Sequence, residues 1–402
     1  MMSETLDIPR TLLLTLWPPD AKYKILYKNV ACLDADKIAC ATLQQAEPSR
    51  TFPFRYRAFP PRQPYWRLRP TSLGLLLVQE WQSGVLARAI AKWAGAFEPE
   101  VLWVLPELGA ASVGRHLKRL LRIPLHVTVH DAHETARHIV PPLYYRCYAA
   151  SVRRCLASAD GADAICGGMR AYLGEHFANL HEANMVVVPP SMPTELINAV
   201  AKPRRWHDPT RRIGLCGSMR VTAEQWARFL DLLAALPYAC ELVTFAYDDL
   251  FPEVPMPDGV RLVRRPFAET EKDMIAAFHE AGCDAFYLGL YQEPHRALFG
   301  RTSLSAKLAT YAAAALPVIV DAREDASAWT LVRDHGAGIR IGHSRDEDVA
   351  ALRDMFGDRQ YWDGLAQGAR RLALEAMHLD TNMQKLAAAL RRLAGGDDAG
   401  AA

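Results

Sequence analysis

The chain has 402 residues, 50% hydrophobic and 23% charged, with a formal net charge of +2. That length predicts two domains, each large enough for its own core, in an ordinary globular balance of apolar and charged residues. No apolar stretch approaches the length that spans a bilayer, so a membrane-spanning helix is not expected, while attachment to a membrane surface stays open. The eight cysteines (32, 40, 147, 155, 166, 216, 240 and 283) include no C-x-x-C pair, so they read as reduced, mostly buried thiols of a cytosolic protein. Residues 1–10 are polar and the first apolar run, 11–17, is followed by two prolines, a pattern unlike an export signal. The small net charge hides an asymmetry. Residues 1–200 carry 22 Lys and Arg against 17 Asp and Glu, and residues 201–402 carry 25 against 28.

In chain order, the first half alternates strand-like and helix-like runs. Strands are predicted at 10–17, 37–43, 51–59, 100–106, 123–131, 162–166 and 185–188. Helices are predicted at 72–97 with a break at Gly84, at 111–122, and through residue 159. The pattern stops in the Pro/Arg-rich run 201–212, which reads as a linker. It then restarts, with strands at 212–218, 240–247, 259–267, 283–290 and 336–341. Helices are expected at 221–236, 269–281, 327–334, 345–357 and 359–394. Continuous Val/Ile/Leu strands separated by helices predict parallel sheets covered on both faces. The expected organisation is an α/β protein of two Rossmann-like domains. Residues 1–200 form the first, 201–211 the linker, 212–375 the second, and 376–402 a terminal helix and frayed tail. Such halves place ligands outside the carboxyl ends of their strands, in a cleft between the domains.

Residues 303–320, SLSAKLATYAAAALPVIV, read as a short amphipathic helix that ends at Leu316-Pro317 and runs into a buried strand. Ser303 and Ser305 can cap its start and Lys307 adds a charge there, a combination that favours phosphate. Arg301, just upstream, can serve the same anion. The plain alternative is a solvated lysine on a capped surface helix. Gly217-Ser218-Met219-Arg220 is a strand-to-turn element of the phosphate-loop type, with Arg220 as a cationic clamp, although most such glycines only make turns. Glu293 and His295 lie in a loop before the 303–320 stretch.

Residues 50–69 hold six arginines and six aromatics, with no acid between Glu47 and Glu80. That composition suits an anionic lipid surface or lipid-diphosphate, single-stranded nucleic acid less well, or a Pro-rich loop packed on the first domain. His126, His130, His133 and His138 raise the question of a metal. On a strand, His126 and His130 lie about 13 Å apart, and no Cys or second carboxylate pair has ligand spacing, so no metal site is expected.

Several of these segments together resemble GT-B glycosyltransferases, especially the large family 4 group. IPLHVTVHD (123–131) is similar to its strand ending in His-Asp. ADAICGGMRAYLGEHF with MVVVPPSMP is similar to the element closing its first domain, RIGLCGSMR to the turn opening its second, and 303–320 to its Pro-Ser-Lys-Leu signature. The resemblance implies a metal-independent, retaining sugar transferase without a cofactor, whose donor substrate is a nucleotide-diphosphate sugar. It places His130 at the transferred sugar, with Asp131 orienting it or binding an acceptor hydroxyl. The plain reading of that pair is a satisfied histidine and a helix-capping aspartate. The donor diphosphate would lie between Gly217 and the 303–307 segment, against Lys307 and Arg220. The acceptor would be a glycan or lipid-linked glycan of bacterial surface polysaccharide, approached from the cytoplasmic face of the membrane.

This chain departs from the pattern where many retaining members carry two glutamates, since Thr302 and Thr310 stand there. The second of those glutamates usually holds the ribose, a task left to the Thr310 hydroxyl or to Glu293. The signature glycine is Ala315. A nucleotide-sugar epimerase of the same fold and a non-catalytic GT-B module are the rival readings.

Overall fold

The computed structural model describes residues 5–19, 24–44, 51–61, 72–138, 141–197, 206, 208–217, 220–245 and 252–395. The chain divides into two compact units, Met1–Pro189 with Asp380–Ala402, and Pro190–Leu379. Most of the run read as a linker, 201–205 and 207, lies outside the described residues.

The first unit is built on a seven-stranded sheet. Its strands are β1 (Thr11–Thr15), β2 (Ile38–Thr42), β3 (Arg55–Ala58), β4 (Val101–Val104), β5 (Leu125–Val129), β6 (Gly161–Ala164) and β7 (Met185–Val187). They lie in the order β3-β2-β1-β4-β5-β6-β7, and every pairing is parallel. Strands such as TLLLT and VLWV are buried at every residue, as helices on both faces of a parallel sheet require. The edge strand β3 instead alternates, with Arg55 and Arg57 exposed.

β3 is also the part of the Arg/aromatic segment that the structure describes. Phe52 and Phe54 are buried and stack at 4.8 Å between ring centroids. Arg55 packs over Trp93 at 5.4 Å and Arg57 over Phe59 at 5.3 Å. Here the aromatics are a sheet edge's packing and not a loop. Arg50 and residues 62–69 lie outside the described residues.

The second unit carries a six-stranded sheet: β8 (Thr210–Cys216), β9 (Ala239–Phe245), β10 (Val260–Arg264), β11 (Ala285–Gly289), β12 (Val318–Asp321) and β13 (Gly338–Ile341). The order is β10-β9-β8-β11-β12-β13, again parallel throughout. In each sheet the order reverses once, beside β1 and β4 in the first and beside β8 and β11 in the second. The carboxyl ends at such a reversal diverge and leave a crevice.

Three expectations are corrected. The helix Ser72–Ala94 runs unbroken through Gly84, because its buried stripe of Ser83, Ala87, Ile90 and Ala94 continues past it. That burial outweighs the roughly 1 kcal/mol cost of a helical glycine. The terminal helix is two helices, Arg359–Glu375 and Leu379–Leu393. A parallel bridge between Met192 and His378 interrupts them, with Met192 N–H donating to the Met377 carbonyl at 2.8 Å and Leu379 N–H to the Met192 carbonyl at 2.9 Å. The third correction concerns the 303–320 stretch. Its helix spans only Lys307–Ala313 and follows a separate short helix, Ala297–Thr302. Ser303 ends that earlier helix, and the cap of the later one is Ala306, with no side-chain cap hydrogen bond.

Ala315 follows this helix at φ 54°, the left-handed conformation in which a helix exit favours glycine. An alanine pays roughly 1–2 kcal/mol there. Ala315→Gly is therefore expected to stabilise the second unit by about 1 kcal/mol, net of glycine's greater unfolded-state freedom. Chemical denaturation reads this as a raised midpoint at unchanged slope, and a lowered midpoint would contradict it.

Candidate functional site

In the second unit, β8 ends at Cys216 and the chain turns at Gly217 with φ +59°. Tyr311, fully buried and stacked on Phe286 at 4.2 Å, accepts the Cys216 N–H on its hydroxyl at 3.1 Å. A packing residue of the helix Lys307–Ala313 thus fixes the strand end that leads into the turn. A Cβ at Gly217 would lie 3.5 Å from Lys307 Cε, so the first residue of that helix lies alongside the turn.

Lys307 is half-buried. Burial pulls its ammonium below the usual lysine range, and the nearby Arg220 guanidinium pulls the same way against the Cys216 thiol. Arg220 is exposed, with its guanidinium 4.8 Å from the Phe299 ring centroid. Two cations and a left-handed turn thus gather at the carboxyl end of β8. Close like charges raise each other's energy and an anion between them relieves it. Ser218 lies outside the described residues.

The other predicted residues of this unit are placed differently. Arg301 is exposed on the helix Ala297–Thr302, about 200° around it from Phe299, on whose face Arg220 lies. Ser303 is buried and Ser305 half-buried, and neither side chain caps the helix at Lys307. That helix has seven residues, so the anion preference here rests on side-chain cations more than on its dipole. Thr302 is fully buried and its hydroxyl donates to the Leu298 carbonyl at 2.7 Å, a fold-holding bond. Thr310 is buried within Lys307–Ala313. Glu293 is half-buried in the loop after β11, and its buried Oε2 has no hydrogen-bond partner among the described residues.

That loop is anchored by a residue the sequence reading missed. Asp321, at the end of β12, is fully buried. Its carboxylate accepts hydrogen bonds from Arg228 at 2.6 Å, Tyr287 at 2.7 Å and Gln292 at 2.5 Å. Gln225 Nε2 donates to the Leu290 and Asp321 carbonyls at 2.9 and 3.1 Å. Burial still outweighs Arg228 and lifts the acid to about 6. The one signal available in sequence was an acid closing the apolar run Val318-Ile319-Val320.

In the first unit, His130 and Asp131 follow β5 and line a cavity of about 310 Å³. Glu107 after β4, His133, and Tyr148 and Tyr172 from the helices Pro142–Leu156 and Gly167–His176 line it as well. Tyr172 donates to Glu134 Oε2 at 2.6 Å, and Arg153 Nε donates to His133 Nε2 at 2.9 Å. His133 therefore carries its proton on Nδ1. Burial lowers its pKa to about 4, with Arg153 adding to the effect against Glu134. Burial raises the Tyr148 hydroxyl, and the carboxylates of Glu107, Asp131 and Glu134 raise it further.

His126 is not part of this cavity. It is fully buried, with Nε2 at 2.8 Å from Asp163, which also accepts from Thr128 at 2.6 Å. Among the described residues, no group of three or more His, Cys, Asp or Glu is arranged to hold a metal ion. No described helix is long and apolar enough to cross a membrane.

Two all-parallel α/β units, each with candidate ligand groups at strand carboxyl ends, define the GT-B class. Residues 30–191 match the glycosyl transferase 4-like domain family, and the two-domain architecture is the GT-B fold. Among solved structures it is similar to Anabaena Alr3699/HepE in complex with UDP, at 16% identity and TM-score 0.66 over 95% of this chain and 100% of that one. It is also similar to sucrose-phosphate synthase from Thermosynechococcus elongatus, at 12% identity and TM-score 0.64 over 96% and 99%. An α,α-trehalose-phosphate synthase (UDP-forming) from Burkholderia vietnamiensis gives 11% identity and TM-score 0.63 over 95% and 100%. No curated protein matches the chain by sequence.

The two shifted acid–base groups predict opposite pH slopes. Asp321 binds its proton more tightly folded than unfolded, so its contribution is fullest below about pH 4 and is lost as pH rises to about 6. That loss is on the order of 3 kcal/mol. His133 resists protonation when folded, so its contribution is full above about pH 6.5 and falls away as pH drops toward 4. Asp321→Asn should remove the first slope alone. Denaturation at pH 4 and pH 6.5 should show wild type losing stability relative to the variant at the higher pH, and parallel curves would refute the assignment.

Proposed function

We propose that the chain transfers a sugar from a nucleotide-diphosphate donor to a glycan or lipid-linked acceptor in bacterial surface polysaccharide or glycoconjugate synthesis. The observation that carries this is the left-handed turn at Gly217 with Lys307 against it and Arg220 beside it. A diphosphate seated there meets two cations. Its charge grows as the glycosidic bond breaks, and fixed cations stabilise that growth more than they stabilise the intact donor. UDP in the similar Anabaena protein supports a uridine nucleotide as the first donor to try.

In this reading Glu293, whose buried carboxylate oxygen has no hydrogen-bond partner among the described residues, binds hydroxyls of the donor's ribose or sugar. Thr310 supplies at most a hydroxyl, and Arg301, Ser303 and Ser305 support the segment's shape more than the phosphate. His130 and Asp131 contact the transferred sugar and the acceptor. The reaction is retaining and needs neither metal nor cofactor, and the enzyme works in the cytoplasm on the inner membrane surface. A second reading, a donor-binding module without transfer, is favoured by the threonines at 302 and 310.

UDP is expected to raise the Tm of the wild-type protein. Loss of one charged hydrogen bond in Lys307→Ala should weaken UDP binding about 10- to 100-fold. A shift that survives the substitution undiminished would remove Lys307 from the phosphate site. Binding without hydrolysis or transfer across UDP-, GDP-, dTDP- and CMP-sugars would favour the second reading.

A further inference from the structure

We infer that Asp321 is a positioning residue for the donor: its carboxylate grips Gln292 and thereby holds the adjoining Glu293 where it meets the donor's hydroxyls. The inference rests on the role given to Glu293 above and adds the residue on which that role depends.

β8 and β11 are neighbours in their sheet, so the loop after β11 and the turn at Gly217 border the same crevice. Glu293 sits in that loop with a buried carboxylate oxygen that has no hydrogen-bond partner among the described residues. With that oxygen left for a ligand, the direction of the acid is set by the backbone that carries it. The backbone here is tied to one residue. Leu290 N–H donates to the Asp321 carbonyl at 2.9 Å. Gln225 Nε2 bridges the Leu290 and Asp321 carbonyls. Gln292 Nε2 donates to Asp321 Oδ1. The first two ties end at Leu290, and the Gln292 bond carries the grip to the residue beside Glu293. Gln292 is also hemmed in, since a Cβ on Gly342 would lie 3.2 Å from its Nε2.

The grip depends on charge. Arg228, from the helix Ala223–Ala234, donates to Asp321 Oδ1 at 2.6 Å, and Tyr287, from β11, donates to Oδ2 at 2.7 Å. Asp348, from the helix Arg345–Gly357, opposes ionisation by its like charge. Gln292 and Arg228 thus share one oxygen, and both bonds are charge-assisted while the acid is ionised. A proton on the acid leaves a neutral carboxyl facing the same two donors. Burial brings that change to about pH 6. A charge held at neutral pH at a cost to fold stability is what a positioning role requires and packing alone does not.

Calorimetry of UDP-glucose binding to the full chain, from about pH 5 to about pH 8, tests this. The probe is chosen because its diphosphate, esterified at both ends, does not titrate in that range. Wild type should bind about three- to tenfold more weakly at the acid end, with a step near pH 6. Asp321→Asn should bind at the lower level throughout, with the step gone. Adding Glu293→Gln to it should weaken binding little beyond either single change, because both act through one contact. If Asp321→Asn fails to fold, Gln292→Ala must give the same loss and the same missing step. Full affinity or a retained step in Asp321→Asn, losses that simply add to those of Glu293→Gln, or a wild type that does not bind UDP-glucose would each overturn the inference. Turnover of UDP-, GDP-, dTDP- and CMP-sugars, measured in parallel, decides the transferase reading separately. Binding with the pH step but without hydrolysis or transfer would sink that reading and leave the role of Asp321 standing. Turnover with an unaltered profile in Asp321→Asn would do the reverse.

Discussion

Parallel pairing is the constraint on which the rest of this molecule depends. In an all-parallel sheet every strand delivers its carboxyl end to one edge. The interior residues of the strands are committed to packing, as the fully buried β1, β4, β5 and β12 illustrate. Chemistry is then left to the first residues beyond each strand. Gly217 after β8, Glu293 after β11, Glu107 after β4 and His130 after β5 are such residues. Asp321, the last residue of β12, belongs with them but serves inward, holding the neighbouring loop through Gln292.

Each candidate site also depends on residues that hold its groups in place from behind. The turn at Gly217 is held where it is because Tyr311 packs on Phe286 and takes the preceding N–H. A substitution at Tyr311 would disturb the turn without touching a ligand. The His133 ring is locked by Arg153 on one nitrogen and by burial on its body. In both places a rigid neighbour fixes the direction of a group at a candidate site, and such pre-organisation lowers the entropic cost of binding.

Much of the fold was legible in the sequence because fully buried parallel strands announce themselves as short apolar runs bounded by polar turns. All thirteen strands among the described residues fall within predicted runs or overlap them, and the helix Ser327–Asp334 matches its expected span. Helix beginnings were less legible. Ser303 and Ser305 have capping side chains, but the preceding residues already form the helix Ala297–Thr302, so Ser303 is used as an exit. Gly84 looked like a break because local propensity was weighed without the buried stripe around it. His130 and Asp131 could be picked out as strand-end residues. Their cavity partners Tyr148 and Tyr172 arrive from later helices, and nothing local marks an interior tyrosine as facing a cavity. The same holds for Tyr287 and Arg228, which meet Asp321 from distant segments.

The last helix gives the chain an order of assembly. Leu379–Leu393 returns to the first unit, where Arg391 donates to the Asp7 carbonyl at 2.7 Å and Leu393 packs against Gly161. On a ribosome, synthesis runs from the amino end and domains tend to fold as they emerge. Here the unit made first lacks its closing helix until the second unit has been translated, whereas the unit made second is one continuous segment. The first-made half must wait with part of its apolar surface uncovered, and the later half can finish before it.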